Sequence, residues 1–159
     1  MKKIYRTGAV GALLDEYQKA LLELKELIKS IPDHMLVWVV NPNSPDGDCQ
    51  TVQDILSHVI NSGYGYAVNI HNLTGPQWTR PAKTFHTEIE PYIRDLDKVF
   101  AFTEDIFKDL KDNELEGFDP AKKIITSWGQ LYDIEQITEH AIVHILRHRR
   151  QIEKIRQEH

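Results

Sequence analysis

Apolar residues recur in steps of three and four along four stretches of the chain, and the segments between them hold most of the proline and glycine. The first stretch runs from about Gly8 to Ile31, with Leu14, Tyr17, Leu21, Leu24, Ile28 and Ile31 on one side and "DEYQK" and "KELIK" on the wet side. Pro32 ends it. After "NPNSPDGDCQ", a loop by composition, Thr51 reads as the N-cap of a second helix, and Asp54 three residues on completes a capping-box pattern. Val52, Ile55, Val59, Tyr66 and Ile70 form its apolar side. A long link, "NLTGPQWTRPAKTFHTE", leads to a third helix that starts near Thr87, tolerates Pro91 in its first turn and turns Ile89, Ile93, Leu96, Phe100, Phe107 and Leu110 toward a core. "IITSWGQLYD" reads as extended, with Asp133 and Gln136 capping a fourth helix whose apolar face is Ile134, Ile137, Ala141, Ile145, Ile152 and Ile155. The reading is all-α: a four-helix bundle with long connecting loops that cross over or cover one end.

Length and charge narrow the classes. The 159 residues suit one domain, 1–159, built around a single core. A formal net charge of −5 speaks against nucleic acid as a partner, because such binding draws on a broad basic surface. Arg147, Arg149 and Arg150 are a local cluster interleaved with Glu139, Glu153 and Glu158. The single cysteine, Cys49, excludes an intrachain disulfide or a thiolate metal cluster and points to a reducing compartment. "AVGALL" is too short for a signal-peptide core or a membrane span, so the expected location is cytoplasmic, with no membrane partner.

The chemistry concentrates in "TEHAIVHILRHRRQI", residues 138–152, where His140, His144 and His148 stand four apart. At about 100° per residue they fall within roughly 80° of one another on the inward side of the last helix. Eight residues rise about 12 Å, so one ion with bonds near 2.1 Å cannot easily take all three; a pair four apart can. A third ligand must come from elsewhere, and His58, at the edge of the second helix's apolar side, is a candidate able to reach the same pocket. Three imidazoles with open positions are the donor set of a catalytic divalent-metal site. Asp54, one turn before His58, is a candidate for orienting that ring as well as for capping the helix. His34, His71, His86 and His159 lie in or beside loops or at the terminus and read as non-ligands.

Other chemistries find less support. No glutamate follows either histidine as HExxH would require, and there is no Gly-rich phosphate loop, no G-x-S-x-G elbow and no basic partner beside Cys49. Two bland readings stand beside the metal site: histidines as ordinary core or rim residues, and histidines as a pH-sensitive contact surface.

"TVQDILSHV" in the second helix and "SWGQLYDIEQITEHAIVHILRHRRQI" leading into the last, together with the layout of the whole chain, resemble the DinB/YfiT-like superfamily of four-helix bundles. That superfamily has a histidine in helix two and a last helix reading like HxxNHxxxHRGQI. The motifs cover about a quarter of the chain, and Val143 and Arg150 stand where the pattern has asparagine and glycine. The resemblance implies that His58, His144 and His148 are the metal ligands and that His140 is non-ligating pocket lining or a supporting group. It also implies nickel, zinc or a similar divalent ion, and a homodimer. The implied reactions are transfer of a low-molecular-weight thiol, of the bacillithiol type, to an electrophilic small-molecule substrate, or metal-dependent hydrolysis. The alternative is a non-catalytic bundle that binds a small molecule or protein and keeps its histidines as structural or vestigial groups.

Overall fold

The computed structural model describes residues 4–39, 42, 43, 45 and 47–158, the last without its side chain. The chain is an all-α four-helix bundle: α1 is Gly8–Lys29, α2 Val52–His71, α3 Ile89–Phe107 and α4 Ile134–Glu158. α1 packs against α3 and α4, and α2 packs against the same two, which sets α1 diagonal to α2 and α3 diagonal to α4. Two of the three connections therefore cross the bundle, as the long loops suggested. The core runs through all four helices, with Leu24, Ile28, Ile55, Leu56, Tyr92, Leu96, Ile137 and Ile152 almost fully buried. Burying a side chain of this kind is worth about 1.5 to 3 kcal/mol before chain entropy is counted.

The helix ends follow local chemistry. α1 stops at Lys29, two residues short of the sequence reading, because Ile31 precedes Pro32 and a residue in that position is pushed out of the α region. Thr51 caps α2 through the expected box: its hydroxyl accepts from the Asp54 amide at 3.1 Å, and Asp54 Oδ2 accepts from the Thr51 amide at 2.9 Å. α3 begins at Ile89 rather than Thr87 because the Ile89 amide is capped from outside, donating to Asp33 Oδ1 at 2.8 Å. Leu110 lies beyond the end of α3 and is only half-buried. At α4, Asp133 and Gln136 exchange the predicted pair of bonds, 2.8 and 3.0 Å.

"IITSWGQLYD" is a small hairpin. β1, Ile124–Ile125, pairs antiparallel with β2, Leu131–Tyr132, and the turn needs Gly129 at φ 86°, a left-handed conformation that side chains resist. Among the described residues no helix is long and apolar enough to cross a membrane.

The 72–88 link is tied down at both ends. Asn72 exchanges bonds with the backbone of Trp78 (3.0 and 2.9 Å), Asn61 donates to the Pro81 carbonyl at 2.8 Å, and Gln53 donates to the His86 carbonyl at 2.8 Å. His86 Nε2 then meets Asp95 on α3 at 2.7 Å. Burial alone pushes the Asp95 carboxyl up, but the hydrogen bonds from His86 and Lys98 and their charges outweigh it, so Asp95 titrates below its usual 3.8. A carboxylate depressed in the folded state adds stability above its unfolded pKa and loses it as pH falls through the folded one. Urea midpoints of Asp95→Asn are therefore expected to fall less steeply than wild type below about pH 4. Parallel acid limbs would mean that the pair contributes nothing.

Candidate metal centre

His58 comes from the middle of α2, and His144 and His148 come from successive turns of the adjacent α4. Fold geometry brings these three together and leaves the other histidines apart. His58 Nε2 lies 2.9 Å from His144 Nε2, which lies 3.1 Å from His148 Nε2. Two nitrogens bound at about 2.1 Å to one ion stand roughly 3.0 to 3.4 Å apart across angles from square to tetrahedral, so the observed spacing is close to a coordinating one. Among the described residues this is the one group of three ligand-type side chains whose donor atoms converge, all within 4.8 Å. His144 is 6 % exposed and His148 2 %, unusual burial for histidine, while His58 keeps one edge open.

The far side of each ring sets its tautomer. His148 Nδ1 donates to Gln151 Oε1 at 2.6 Å, and His58 Nδ1 faces Asp48 Oδ2 at 3.3 Å. The hydrogen bond from Lys83 holds the Asp48 carboxyl below the usual carboxylate range; burial opposes it, and the charges of Lys83 and His58 reinforce it. With both Nδ1 positions protonated, His58 and His148 each aim a lone pair at His144 Nε2. His144 has at most one proton there and cannot satisfy both. Burial first, then the neighbouring His148, His58, Arg147 and His140, pushes its pKa down from 6.5 to about 2, so an added proton is not the answer. The donor set fits a divalent cation, which three imidazole lone pairs satisfy together.

Asp54 does not orient His58. Its Oδ2 is engaged by the Thr51 amide and hydroxyl at the cap, and the carboxylate that reaches the ring is Asp48, in the 3-10 turn Gly47–Cys49. The short distance in sequence between Asp54 and His58 was the misleading cue; Asp48 is brought in by the turn that leads into α2. Gln151 was missed although it stands one helical turn after His148, where a supporting acceptor is within reach. His140 stays outside the triad. Trp128, on the hairpin turn, stacks on it with centroids 4.7 Å apart and planes 22° from parallel, and burial followed by Arg147 lowers its pKa. His71 stacks on Trp78 and His86 is held by Asp95, so neither reaches the site. His34 packs edge-on to Trp38, and His159 lies outside the described residues.

No family model matches the chain, and neither the curated proteins nor the solved structures compared with it give a match.

A cavity of about 910 Å³ opens directly onto His58 and His144, within the range of small-molecule sites. Tyr66 forms part of its wall, 5.8 Å from the His144 ring between centroids. Burial raises the Tyr66 phenol to about 12 against the opposing hydrogen bond of Ser62 and the charges of Arg147 and Arg80, so it remains a neutral hydrogen-bond donor at physiological pH. A wider depression of about 1,050 Å³ surrounds Arg6, Gly8 and Asp112, but its arginine is already committed to Asp15 and Glu104.

Proposed function

We propose that this protein is a divalent-metal-dependent enzyme of the DinB/YfiT-like kind, with His58, His144 and His148 holding nickel or zinc. Its favoured reaction is transfer of a low-molecular-weight thiol to an electrophilic small molecule, with hydrolysis the nearest competitor. The observation that carries the reading is the convergence of three Nε2 atoms whose two outer rings have their Nδ1 protons committed to Gln151 and Asp48. Crowded lone pairs of this kind are unfavourable without a cation between them.

When bound, such an ion supplies Lewis acidity that favours the thiolate of an attacking thiol, or the hydroxide of an attacking water, near neutral pH. The chain's own residues do the rest. Asp48 and Gln151 keep the rings of His58 and His148 in the tautomer that offers Nε2, and the burial of His144 keeps its imidazole neutral, so that no imidazolium proton has to be lost when an ion binds. Tyr66 offers a hydrogen bond to charge developing in the cavity. In the transfer, a sulfur–carbon bond forms, the bond to the leaving group breaks with its electron pair, and the thiol proton passes to solvent.

Elemental analysis of protein purified without an affinity tag is expected to find about one nickel or zinc ion per chain. With metal loaded, consumption of monobromobimane should depend on added thiol and fall to background after chelation. Thiol-independent cleavage of a nitrophenyl ester, lost on chelation, would move the reaction to hydrolysis. Metal content at background after incubation with nickel and zinc would overturn the proposal.

A further inference from the structure

The cavity over the histidines carries a charge opposite to that of the chain. The protein is acidic as a whole, with 24 Asp and Glu against 19 Lys and Arg, yet Arg80, Lys83 and Arg147 line this cavity and, among the described residues, Asp48 is the one carboxylate beside them. Asp48 is already shared between Lys83 and His58. Among the described residues no carboxylate pairs with Arg80 or Arg147, whereas Arg149, two residues along α4, is held by Glu23 and Glu153. Two guanidinium groups are thus left facing a concave wall, where low-dielectric surroundings focus their field.

Both are positioned by the fold. Arg147 follows His144 by three residues, which places it on the neighbouring strip of α4, and its charge is felt at Tyr66, His140 and His144. Arg80 lies on the link segment between two pinned points, Trp78 held by Asn72 and Pro81 held by Asn61. Its side chain crosses α2 at Gly65: a Cβ there would stand 3.2 Å from Arg80 Nη1 and 3.4 Å from its Cδ, so the glycine leaves the room that the guanidinium uses. Trp78 and Trp128, both partly exposed, line the same cavity and offer flat apolar surface.

We infer that this cavity selects a small molecule bearing an oxyanion, a carboxylate or a phosphate, with Arg80 and Arg147 as its anchor and the two tryptophans against its apolar body. Guanidinium forks match either oxyanion with paired hydrogen bonds. The inference rests on the proposed metal reading only in naming the bound molecule as the substrate; the anchor itself needs no ion.

The test uses three probes of one shape, phenylacetate, phenyl phosphate and the neutral phenylacetamide, titrated into metal-loaded and into chelated full-length protein. Two of the three tryptophans line the cavity, so intrinsic fluorescence reports binding, and calorimetry checks it. At least one anion is expected to bind about tenfold or more tightly than the amide in both forms, the tighter anion naming the oxyanion. The double variant Arg80→Gln, Arg147→Gln should lose that preference while keeping wild-type metal content and Tm. Equal affinity for anions and amide would overturn the inference. So would a preference that survives in the double variant, and one that also vanishes on chelation would put the oxyanion on the metal. An arginine-dependent preference in a protein that never binds metal would uphold the anchor and sink the metal reading alone.

Discussion

His144→Ala is expected to leave a folded bundle that retains no metal and whose Tm is the same with and without chelator. His144 is the ring that both other Nε2 atoms approach, so its removal takes away the centre of the donor set. In the wild type, an ion free at 100 times its Kd stabilises the folded state by about 2.7 kcal/mol, provided the unfolded chain does not bind it. For a chain of this size that corresponds to a Tm rise of roughly 5 to 10 °C. Chelation should remove this rise from the wild type and have nothing to remove from the variant. The metal-free comparison adds a second readout. Because the alanine also relieves the crowding of lone pairs, it should cost less in chelated protein than a buried histidine replacement ordinarily would. A wild-type Tm indifferent to added nickel and zinc would contradict the whole assignment.

Asp48→Asn and Asp54→Ala are expected to fail in opposite ways. Asp48 faces the Nδ1 of His58, and loss of a carboxylate that orients a ligand ring weakens metal binding by about 10- to 100-fold. Its effect on folding should be small. Asp54 takes both Thr51 bonds at the start of α2, so its loss should cost about 0.5 to 2 kcal/mol of stability while leaving metal affinity within about twofold. Metal titration and urea unfolding of the two variants side by side separate the roles. Weak metal binding in Asp54→Ala with normal binding in Asp48→Asn would return the orienting role to Asp54.

The contrast between these two aspartates also shows where sequence reading reaches and where it stops. Helical periodicity, the Thr51 and Asp133 caps and Pro32 each act within a few residues, so they are legible from the sequence, and the bundle follows from them. The 3-10 turn that delivers Asp48 and the Asp33 cap on α3 depend on contacts between segments far apart in the chain, which no local pattern encodes. The histidines fall between these cases. Helical rise limits His140, His144 and His148 to a pair, but spacing alone cannot choose the pair; in the fold His140 is stacked under Trp128 of the hairpin turn, its ring 6.2 Å from that of His144 between centroids and outside the converging three. Arg80 was invisible for the same reason, since only the pinned link and the absent side chain at Gly65 bring it over α2.

The distribution of the three histidines over α2 and α4 has a consequence for the life of the molecule. His58 and His144 are 86 residues apart, so α2, α3 and α4 must all be made and packed before the three rings can converge. An ion held by these rings would therefore not nucleate the fold in the manner of a zinc finger; it would enter a bundle already packed. On the proposed reading the bundle assembles on its hydrophobic contacts before any ion binds, and metallation is a maturation step separable from folding.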